Sequence, residues 1–325
     1  MRNAGWNQKA GGFDFRLEEI DSCRTGKGLS KSFCLHITNN TDRRVDGRLV
    51  LTAPSGWKIS PGSDILMAVK PDGTICAEFE THTEEGYDDS FTINARLETT
   101  EGVQTDVTFE IPGIFANAVK QMLERDLKGR GISDPMVLRA MEKVKRHLFI
   151  DEEYREEAYD DHPLPIDEGQ TISQPYIVAL MTETLMIKPG EKVLEIGTGC
   201  GYQAAVLAEL TDEVYSVEIK KKLAENARRN LDKNGYVNVK TKHGDGYFGW
   251  EEYAPYDAIM ISCAVKRIPP PLLEQLREGG RMVLPIGDTT YYQDLVHVKK
   301  DKGVKITHIC GVRFVPITGE AVKDE

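Results

Sequence analysis

Residues 192–218 read KVLEIGTGCGYQAAVLAELTDEVYSVE, and this stretch decides the fold of the C-terminal part of the chain. A short apolar run leads into a glycine-rich turn, a helical segment follows, and a second apolar run ends at Glu218. Strands and helices alternate in the same way to about residue 286, and two closely spaced strands finish the pattern. Such alternation is typical of a doubly wound parallel sheet, to which the last two strands add an antiparallel edge. The sequence therefore predicts an α/β, Rossmann-like domain.

The N-terminal part of the chain has a different pattern. Residues 13–110 contain about seven short runs that alternate or are apolar throughout, separated by turns rich in Gly, Pro, Asn and Asp. Strands at this spacing predict an all-β sandwich of immunoglobulin-like kind. The pattern changes at Ile111-Pro112-Gly113, after which apolar residues recur at helical spacing. We expect a β-sandwich accessory domain over residues 1–111 and the α/β domain over residues 112–325.

Composition and charge narrow the class of protein. The chain has 325 residues, and its 41 basic and 52 acidic side chains give a net charge of −11, which disfavours binding to nucleic acid through phosphates. It contains no apolar run of about 18 residues and no recognisable secretory signal. We therefore expect a soluble, cytoplasmic protein without a membrane partner. The six cysteines show no metal-site spacing, so free thiols are expected, with a Cys34–Cys76 bridge across the sandwich as the alternative.

The glycine-rich turn is the first candidate binding site. Gly197, Gly199 and Gly201 allow a ligand to approach the backbone, and Glu218 ends the next strand, where its carboxylate can accept ribose hydroxyls. This arrangement fits NAD, FAD or S-adenosylmethionine. The turn reads G-x-G-x-G, which differs from the G-x-G-x-x-G that cradles a pyrophosphate. Asp245, in a Gly-Asp-Gly turn, could accept from the adenine amine or only form the turn. Together these features favour S-adenosylmethionine.

Further motifs carry a resemblance to a known family. They are GQTISQP at 169–175, VLEIGTGCGYQAAVLAEL from Val193, Gly244-Asp245-Gly246, the strand that begins at Tyr256, and VRFVPITG at 312–319. With them, residues from about 114 to 319 resemble the protein-L-isoaspartate O-methyltransferases. The glycine turn alone is generic to methyltransferases, whereas GQTISQP and VRFVPITG are specific to this family.

The resemblance implies an enzyme of protein repair. Members methylate the carboxylate of isoaspartyl residues in damaged proteins and peptides, with S-adenosylmethionine as the donor. The active-site serine of the family falls on Ser173, and no metal is implied. Cofactor contacts fall on Ile172, Ser173, Gly197, Thr198, Gly199, Gly201, Glu218, Asp245, Gly246 and Thr318. The sequence departs from the family at Cys200 and Cys263, where small residues are common, and Cys263 could confer thiol sensitivity. The family usually lacks a counterpart of residues 1–110, whose ligand the sequence does not indicate.

The residues agree with this chemistry. An acceptor carboxylate has a pKa near 4 and is already a nucleophile at neutral pH, so no general base is needed. Ser173 precedes Gln174-Pro175 and can lie at a helix N-terminus, where it either orients the acceptor or only caps the helix. The rival hypotheses are a methyltransferase acting on a small molecule or RNA, and a scaffold that binds S-adenosylmethionine without catalysis.

Overall fold

A computed structural model of the chain describes residues 5–25, 28–83, 90–287 and 293–320. The chain divides into two compact units, Met1–Asn117 and Ala118–Glu325. The boundary that the sequence places between residues 111 and 112 stays a prediction. Within the described ranges, none of the helices combines the length and the apolar character that crossing a membrane requires.

The N-terminal unit is built from antiparallel strands. They are β1 (Gly5–Ala10), β2 (Phe13–Thr25), β3 (Gly28–Asn39), β4 (Val45–Thr52), β5 (Lys58–Ser60), β6 (Asp64–Val69), β7 (Thr74–Thr83), β8 (Phe91–Thr99) and β9 (Gln104–Ile111). One sheet has the order β1-β2-β3-β7-β5 and the other β6-β4-β8-β9. Alternate apolar side chains of both sheets, such as Phe33, Leu49 and Ile93, meet in one buried core. The predicted β-sandwich is confirmed.

The sequence pattern did not reveal β1 and β5. Both are edge strands, and β1 is mostly exposed, so neither has the apolar alternation that marks a half-buried strand. β1 joins β2 through Gly11 and Gly12, whose φ angles of 58° and 82° suit a two-residue hairpin turn. The strand is therefore specified by its turn more than by its side chains.

The cysteines of the sandwich differ from the expectation. A disulfide joins Cys34 on β3 to Cys76 on β7, with their Cα atoms 6.0 Å apart. These strands are neighbours in one sheet, so the bridge lies within that sheet and does not cross the sandwich. The expectation of free thiols is wrong for this pair because sequence spacing does not reveal the strand register. Cys200, Cys263 and Cys310 are free, and the side chain of Cys23 lies outside the described part of the structure.

The C-terminal unit is an α/β structure. Its helices are α1 (Ala116–Gln121, continued by a π-helical turn over Met122–Leu127), α2 (Pro135–Lys143), α3 (Pro175–Leu185), α4 (Tyr202–Ala208), α5 (Lys221–Lys233) and α6 (Pro270–Gln275). Its strands are β10 (Leu164–Pro165), β11 (Thr171–Ile172), β12 (Lys192–Ile196), β13 (Glu213–Glu218), β14 (Lys240–His243), β15 (Tyr256–Ile261), β16 (Leu276–Gly287), β17 (Gln293–Lys300) and β18 (Val304–Val312).

The larger sheet of this unit has the order β14-β13-β12-β15-β16-β17-β18. Neighbouring strands are parallel from β14 to β16, and β17 is antiparallel to both β16 and β18. The predicted doubly wound sheet with an antiparallel edge is confirmed. The run PPLLEQLREG at 270–279 predicts a longer helix than the structure has, because α6 ends at Gln275 and Leu276 then pairs with Tyr256 of β15. The carboxyl ends of β12, β13 and β15 lie side by side, and the candidate site is there.

Candidate functional site

The turn Gly197–Gly201 follows β12 directly. Its glycines have positive φ angles, 96° at Gly197, 57° at Gly199 and 94° at Gly201, which residues with a Cβ rarely adopt. The Gly197 N–H donates to the Val217 carbonyl at 2.9 Å, which anchors the turn to the neighbouring strand β13. The spacing of the glycines thus has a backbone cause, since each occupies a position that disfavours a side chain.

A buried chain of hydrogen bonds supports this turn. The Ser216 hydroxyl donates to Glu195 Oε2 at 2.5 Å, and the Thr198 and Ser216 hydroxyl oxygens are 2.6 Å apart. Burial raises the pKa of Glu195 to about 8, so this carboxyl is mostly protonated at neutral pH. Its Oε1 atom has no hydrogen-bond partner among the described residues.

Glu218 ends β13, and both of its carboxylate oxygens are fixed by backbone groups. Oε2 accepts from the Gly199 N–H and Oε1 accepts from the Lys220 N–H, each at 2.9 Å. The side chain is 6 % exposed. Each oxygen keeps a further lone pair, so the carboxylate can still accept from hydroxyl groups of a ligand.

A pocket opens beside the turn, and we call it the glycine-turn pocket. Five of the predicted cofactor residues line it, namely Gly197, Gly199, Glu218, Gly246 and Thr318. The other lining residues are Gln170, Thr171, Ile196, Val217, Ile219, Lys220, Leu223, Ser262, Cys263, Val315, Pro316 and Ile317. An acid, exposed turn backbone and apolar walls suit a nucleoside-containing ligand without a pyrophosphate. The residues present therefore fit S-adenosylmethionine.

Among the described residues, five predicted cofactor residues do not line this pocket: Ile172, Ser173, Thr198, Gly201 and Asp245. The carboxylate of Asp245 accepts from the Tyr247 N–H at 2.9 Å and from the Glu320 N–H at 2.7 Å. Asp245 thus holds the turn that positions Gly246 and also fixes the chain just after Thr318. This arrangement corresponds to the turn-forming role that the sequence left open.

Ser173 lies in an adjoining cavity, which we call the Ser173 cleft. It is lined by Arg130, Pro163, Thr171, Ser173, Gln174, Tyr176, Ile177, Ser262, Cys310, Gly311, Val312, Arg313, Phe314, Val315 and Pro316. Thr171, Ser262, Val315 and Pro316 line both this cleft and the glycine-turn pocket. The two cavities therefore share a wall, and Ser173 lines only the cleft.

The start of α3 decides whether Ser173 caps this helix, which the sequence left open. Its N-cap is Gln174, with Pro175 as the first helical residue, so the alternative that Ser173 only caps the helix is wrong. Asp161 accepts from the Tyr176 N–H at 3.0 Å and from the Gln174 side-chain amide at 2.6 Å. A carboxylate of the chain itself thus already occupies this helix N-terminus, which leaves the Ser173 hydroxyl free of the capping role.

The segment after β18 supplies much of the wall. The Ala264 N–H donates to the Val315 carbonyl at 2.8 Å, and the Ile317 N–H donates to the Ala264 carbonyl at 2.9 Å. The closing VRFVPITG motif is thereby attached beside the end of β15. Sequence reasoning missed Ser262, although its place directly after a parallel strand next to β12 was a usable signal.

Cys263 also lines the glycine-turn pocket. Burial, with a smaller contribution from the charge of Glu218, raises the pKa of its thiol to about 12. The thiol is therefore neutral at physiological pH, and because the thiolate is the reactive form, this disfavours the thiol sensitivity expected from the sequence.

Comparison with known proteins decides the family. Residues 117–322 match the family model described as Protein-L-isoaspartate(D-aspartate) O-methyltransferase. The chain belongs to this family. The match covers the α/β unit and leaves the β-sandwich outside it.

Individual members of the family are similar over the same region. Protein-L-isoaspartate O-methyltransferase 2 of Shewanella sediminis is 54 % identical over 211 residues, which are 65 % of this chain and 86 % of that protein. Protein-L-isoaspartate O-methyltransferase 1 of Syntrophobacter fumaroxidans is 53 % identical over 207 residues, 63 % and 96 % of the two chains.

Two solved structures share the fold. One protein-L-isoaspartate O-methyltransferase superimposes with a TM-score of 0.57 at 32 % identity, covering 62 % of this chain and 67 % of that one. A putative member from Plasmodium falciparum, in complex with S-adenosyl-L-homocysteine, gives 0.54 at 29 % identity and covers 61 % and 97 %. The resemblance inferred from the sequence motifs is confirmed.

Proposed function

We propose that the chain transfers a methyl group from S-adenosylmethionine to the carboxylate of isoaspartyl residues in damaged proteins and peptides. Family membership supports the reaction. The observation that carries the proposal is that the glycine-turn pocket and the Ser173 cleft share lining residues. A donor bound in the pocket and an acceptor bound in the cleft would therefore lie next to each other. In-line transfer requires such a placement of two reactants in a site with little water.

The glycine-turn pocket is the proposed donor site. Glu218 would accept from the ribose hydroxyls, and Gly197 and Gly199 would let the turn backbone approach the amino-acid part. Gly246 and Thr318 would complete the wall. Thr198 and Asp245 would act indirectly, through the hydrogen bonds that hold the glycine turn and the closing segment. Ile172 and Gly201 stay proposed donor contacts, and Ser173 is assigned to the acceptor site. When bound, S-adenosylmethionine supplies an electrophilic methyl group on a sulfonium.

The Ser173 cleft is the proposed acceptor site, and Ser173 the residue that orients the acceptor carboxylate. Arg130 and Arg313 also line the cleft. Arg130 is ion-paired with Asp161, so Arg313 supplies the positive charge that favours an anionic acceptor. Arg130 is held by Asp161 at 2.5 Å and lies 3.5 Å from the centre of the Tyr176 ring. The acceptor is ionised at neutral pH, so no proton has to be removed before transfer.

No histidine is needed as a base, and three histidines of the C-terminal unit are hydrogen-bonded to other groups. His147 contacts the Tyr159 hydroxyl at 2.8 Å, His162 the Pro163 carbonyl at 3.0 Å, and His243 the Ile219 carbonyl at 3.1 Å. The acidic net charge supports peptide and protein acceptors over nucleic acids. The cytoplasmic location stays a prediction of the sequence.

The experiment that tests this function follows the label from the donor. The full chain is incubated with S-adenosylmethionine labelled in its methyl group and with a short isoaspartyl peptide. We expect the label on the peptide as an ester that mild alkali releases as methanol. Label in an alkali-stable form, or label transferred to RNA in a parallel incubation, would identify a different methyltransferase. Donor binding without any transfer would identify a scaffold.

A further inference from the structure

The outer face of the β1-β2-β3-β7-β5 sheet carries a group of metal-binding side chains. One ligand atom from each of Cys34, His36 and Cys76 lies within 4.8 Å of the others. The strand register explains this proximity, because His36 of β3 is directly opposite Cys76 of β7. Glu18 of β2 is opposite Cys34 on the other side. The spacing of residues 34, 36 and 76 in the sequence gives no sign of the cluster.

His36 points its Nε2 atom into this group. That nitrogen is 3.3 Å from the Sγ atom of Cys34 and 3.5 Å from the nearer carboxylate oxygen of Glu18. The same carboxylate oxygen is 3.1 Å from Arg16, and Glu78 of β7 is opposite Cys34 on the side away from Glu18. Cys34 is buried, whereas His36 and Glu18 are partly exposed and Cys76 is exposed, so an ion could enter from the solvent. Two sulfurs, one imidazole nitrogen and one carboxylate are donors that zinc prefers.

We propose that reduction of the Cys34–Cys76 disulfide creates a zinc site with Cys34, His36 and Cys76 as ligands. A dithiol reductant gives two electrons and two protons to the disulfide and is itself oxidised to a cyclic disulfide. The sulfur–sulfur bond of the protein breaks and two thiols form. Zn²⁺ then binds the two sulfurs as thiolates, and two protons pass to the solvent. The fourth position is assigned to Glu18, whose carboxylate oxygen is 3.5 Å from His36 Nε2.

The separation of the two cysteines is compatible with both states of this cluster. Two thiolates on one tetrahedral zinc ion are about 3.8 Å apart, since each zinc–sulfur bond is about 2.3 Å long. Rotation of the side chains on strands whose Cα atoms are 6.0 Å apart accommodates that separation. In the oxidised state the sulfurs carry no negative charge and cannot hold the ion. Metal binding and the disulfide therefore exclude each other.

The site is distinct from the proposed methyl-transfer site. All of its residues belong to the N-terminal unit, outside residues 117–322 that match the family. The inference concerns a binding function of the β-sandwich and does not depend on the methyltransferase reaction. It gives the sandwich a metal-dependent state that responds to the thiol–disulfide balance of its surroundings.

Co²⁺ is a suitable probe, because thiolate ligation gives a charge-transfer band in the near ultraviolet. The full chain is reduced with a dithiol under argon, freed of reductant and titrated with Co²⁺ and then Zn²⁺. We expect one Co²⁺ per chain with that band, displacement by Zn²⁺, and no band in the oxidised protein. Cys76→Ser should abolish the band, and His36→Ala should weaken Co²⁺ binding about tenfold or more. His82, which lies on β7 with Cys76 but outside the cluster, provides the matched control, and His82→Ala should behave as the unmodified chain.

Two controls keep the outcome interpretable. His36→Ala retains both cysteines, so formation of its disulfide on oxidation, measured by mass after alkylation, shows that the sheet is intact. Methylation of an isoaspartyl peptide should be unchanged in every variant. A reduced, folded chain without the charge-transfer band would overturn the proposal, and so would equal Co²⁺ affinity of His36→Ala and the unmodified chain.

Discussion

Glu218 shows how one side chain can serve both the fold and a ligand. Its two oxygens each accept a backbone N–H, from Gly199 and Lys220, so the carboxylate fixes the glycine turn to the end of β13. Charged hydrogen bonds of this kind, made in a buried place, contribute more than neutral ones. The same oxygens face the glycine-turn pocket. A change at this residue should therefore be seen first in donor binding.

For Glu218→Gln we expect donor affinity to fall by about 1–3 kcal/mol, because one charged acceptor is replaced by a neutral group that must also donate. Calorimetric titration with S-adenosylmethionine measures the change. Glu225→Gln, an exposed residue on α5, is the control and should leave affinity unchanged. Equal dissociation constants for Glu218→Gln and the unmodified, folded protein would remove Glu218 from the donor site.

Ser173→Ala should lower turnover by about ten- to a thousandfold and leave donor affinity unchanged, because the hydroxyl orients the acceptor and does not cap the helix. Ser133 provides a matched control, since Ser133-Asp134-Pro135 also precedes a helix but lies outside both cavities. Steady-state rates with an isoaspartyl peptide and calorimetry with the donor separate the two effects. A parallel loss of donor binding and turnover would contradict the role given to Ser173.

The raised pKa of the buried Glu195 carboxyl predicts that the stability of the folded chain depends on pH. Its pKa in the folded chain is raised to about 8, above the ordinary value near 4.5. Its contribution is therefore fully present below about pH 4.5 and is lost as the pH rises through about 8. Between these values each rise of one pH unit lowers the free energy of unfolding by about 1.4 kcal/mol. Glu195→Gln should flatten the fall in melting temperature between pH 5 and pH 8. An unchanged pH profile would show that Glu195 is ionised in the folded protein.

At the scale of elements, local patterns were informative and long-range partners were not. The glycine spacing predicted the turn after β12, because positive φ angles are a local requirement. The sequence could not show that Asp245 is bonded to Tyr247 and Glu320, since the second partner comes from a segment 75 residues away. The sequence left open whether Ser173 caps α3, because it could not show that the Asp161 carboxylate is bonded to this helix terminus.

Gly319 tests the link between the closing segment and the donor site. It has a φ angle of 91°, and a Cβ there would overlap the Asp245 carboxylate. Gly235 has a similar φ of 83° but open space around it. Both Gly→Ala variants should lose about 1–2 kcal/mol of stability through the left-handed backbone. Only Gly319→Ala should also weaken donor binding, by displacing Asp245. Equal donor affinities of the two variants would contradict this link.

At the scale of the whole molecule, both proposed binding cavities lie in one of the two units. Every residue lining the glycine-turn pocket and the Ser173 cleft belongs to the C-terminal unit. Hydrophobic periodicity predicted both units, because each has a buried core of its own. It could not predict the cysteine cluster on the sandwich, which depends on the register of β2, β3 and β7.

We expect residues 112–325 alone to fold and to methylate a short isoaspartyl peptide at the rate of the full chain. If the sandwich recruits substrates, its removal should raise KM for large folded proteins and leave the peptide kinetics unchanged. If it only shields the C-terminal unit, the melting temperature should fall while both kinetics persist. A folded C-terminal unit without peptide activity would contradict the independence of the two units.

The central claim is that the acceptor is the isoaspartyl carboxylate, and one comparison tests it most directly. Two peptides of identical sequence, one with L-isoaspartate and one with L-aspartate at a single position, are methylated by the full chain under the same conditions. We expect rapid, saturable ester formation on the isoaspartyl peptide and none above background on the aspartyl peptide. Equal rates on the two peptides, or transfer to neither while the donor is bound, would contradict it.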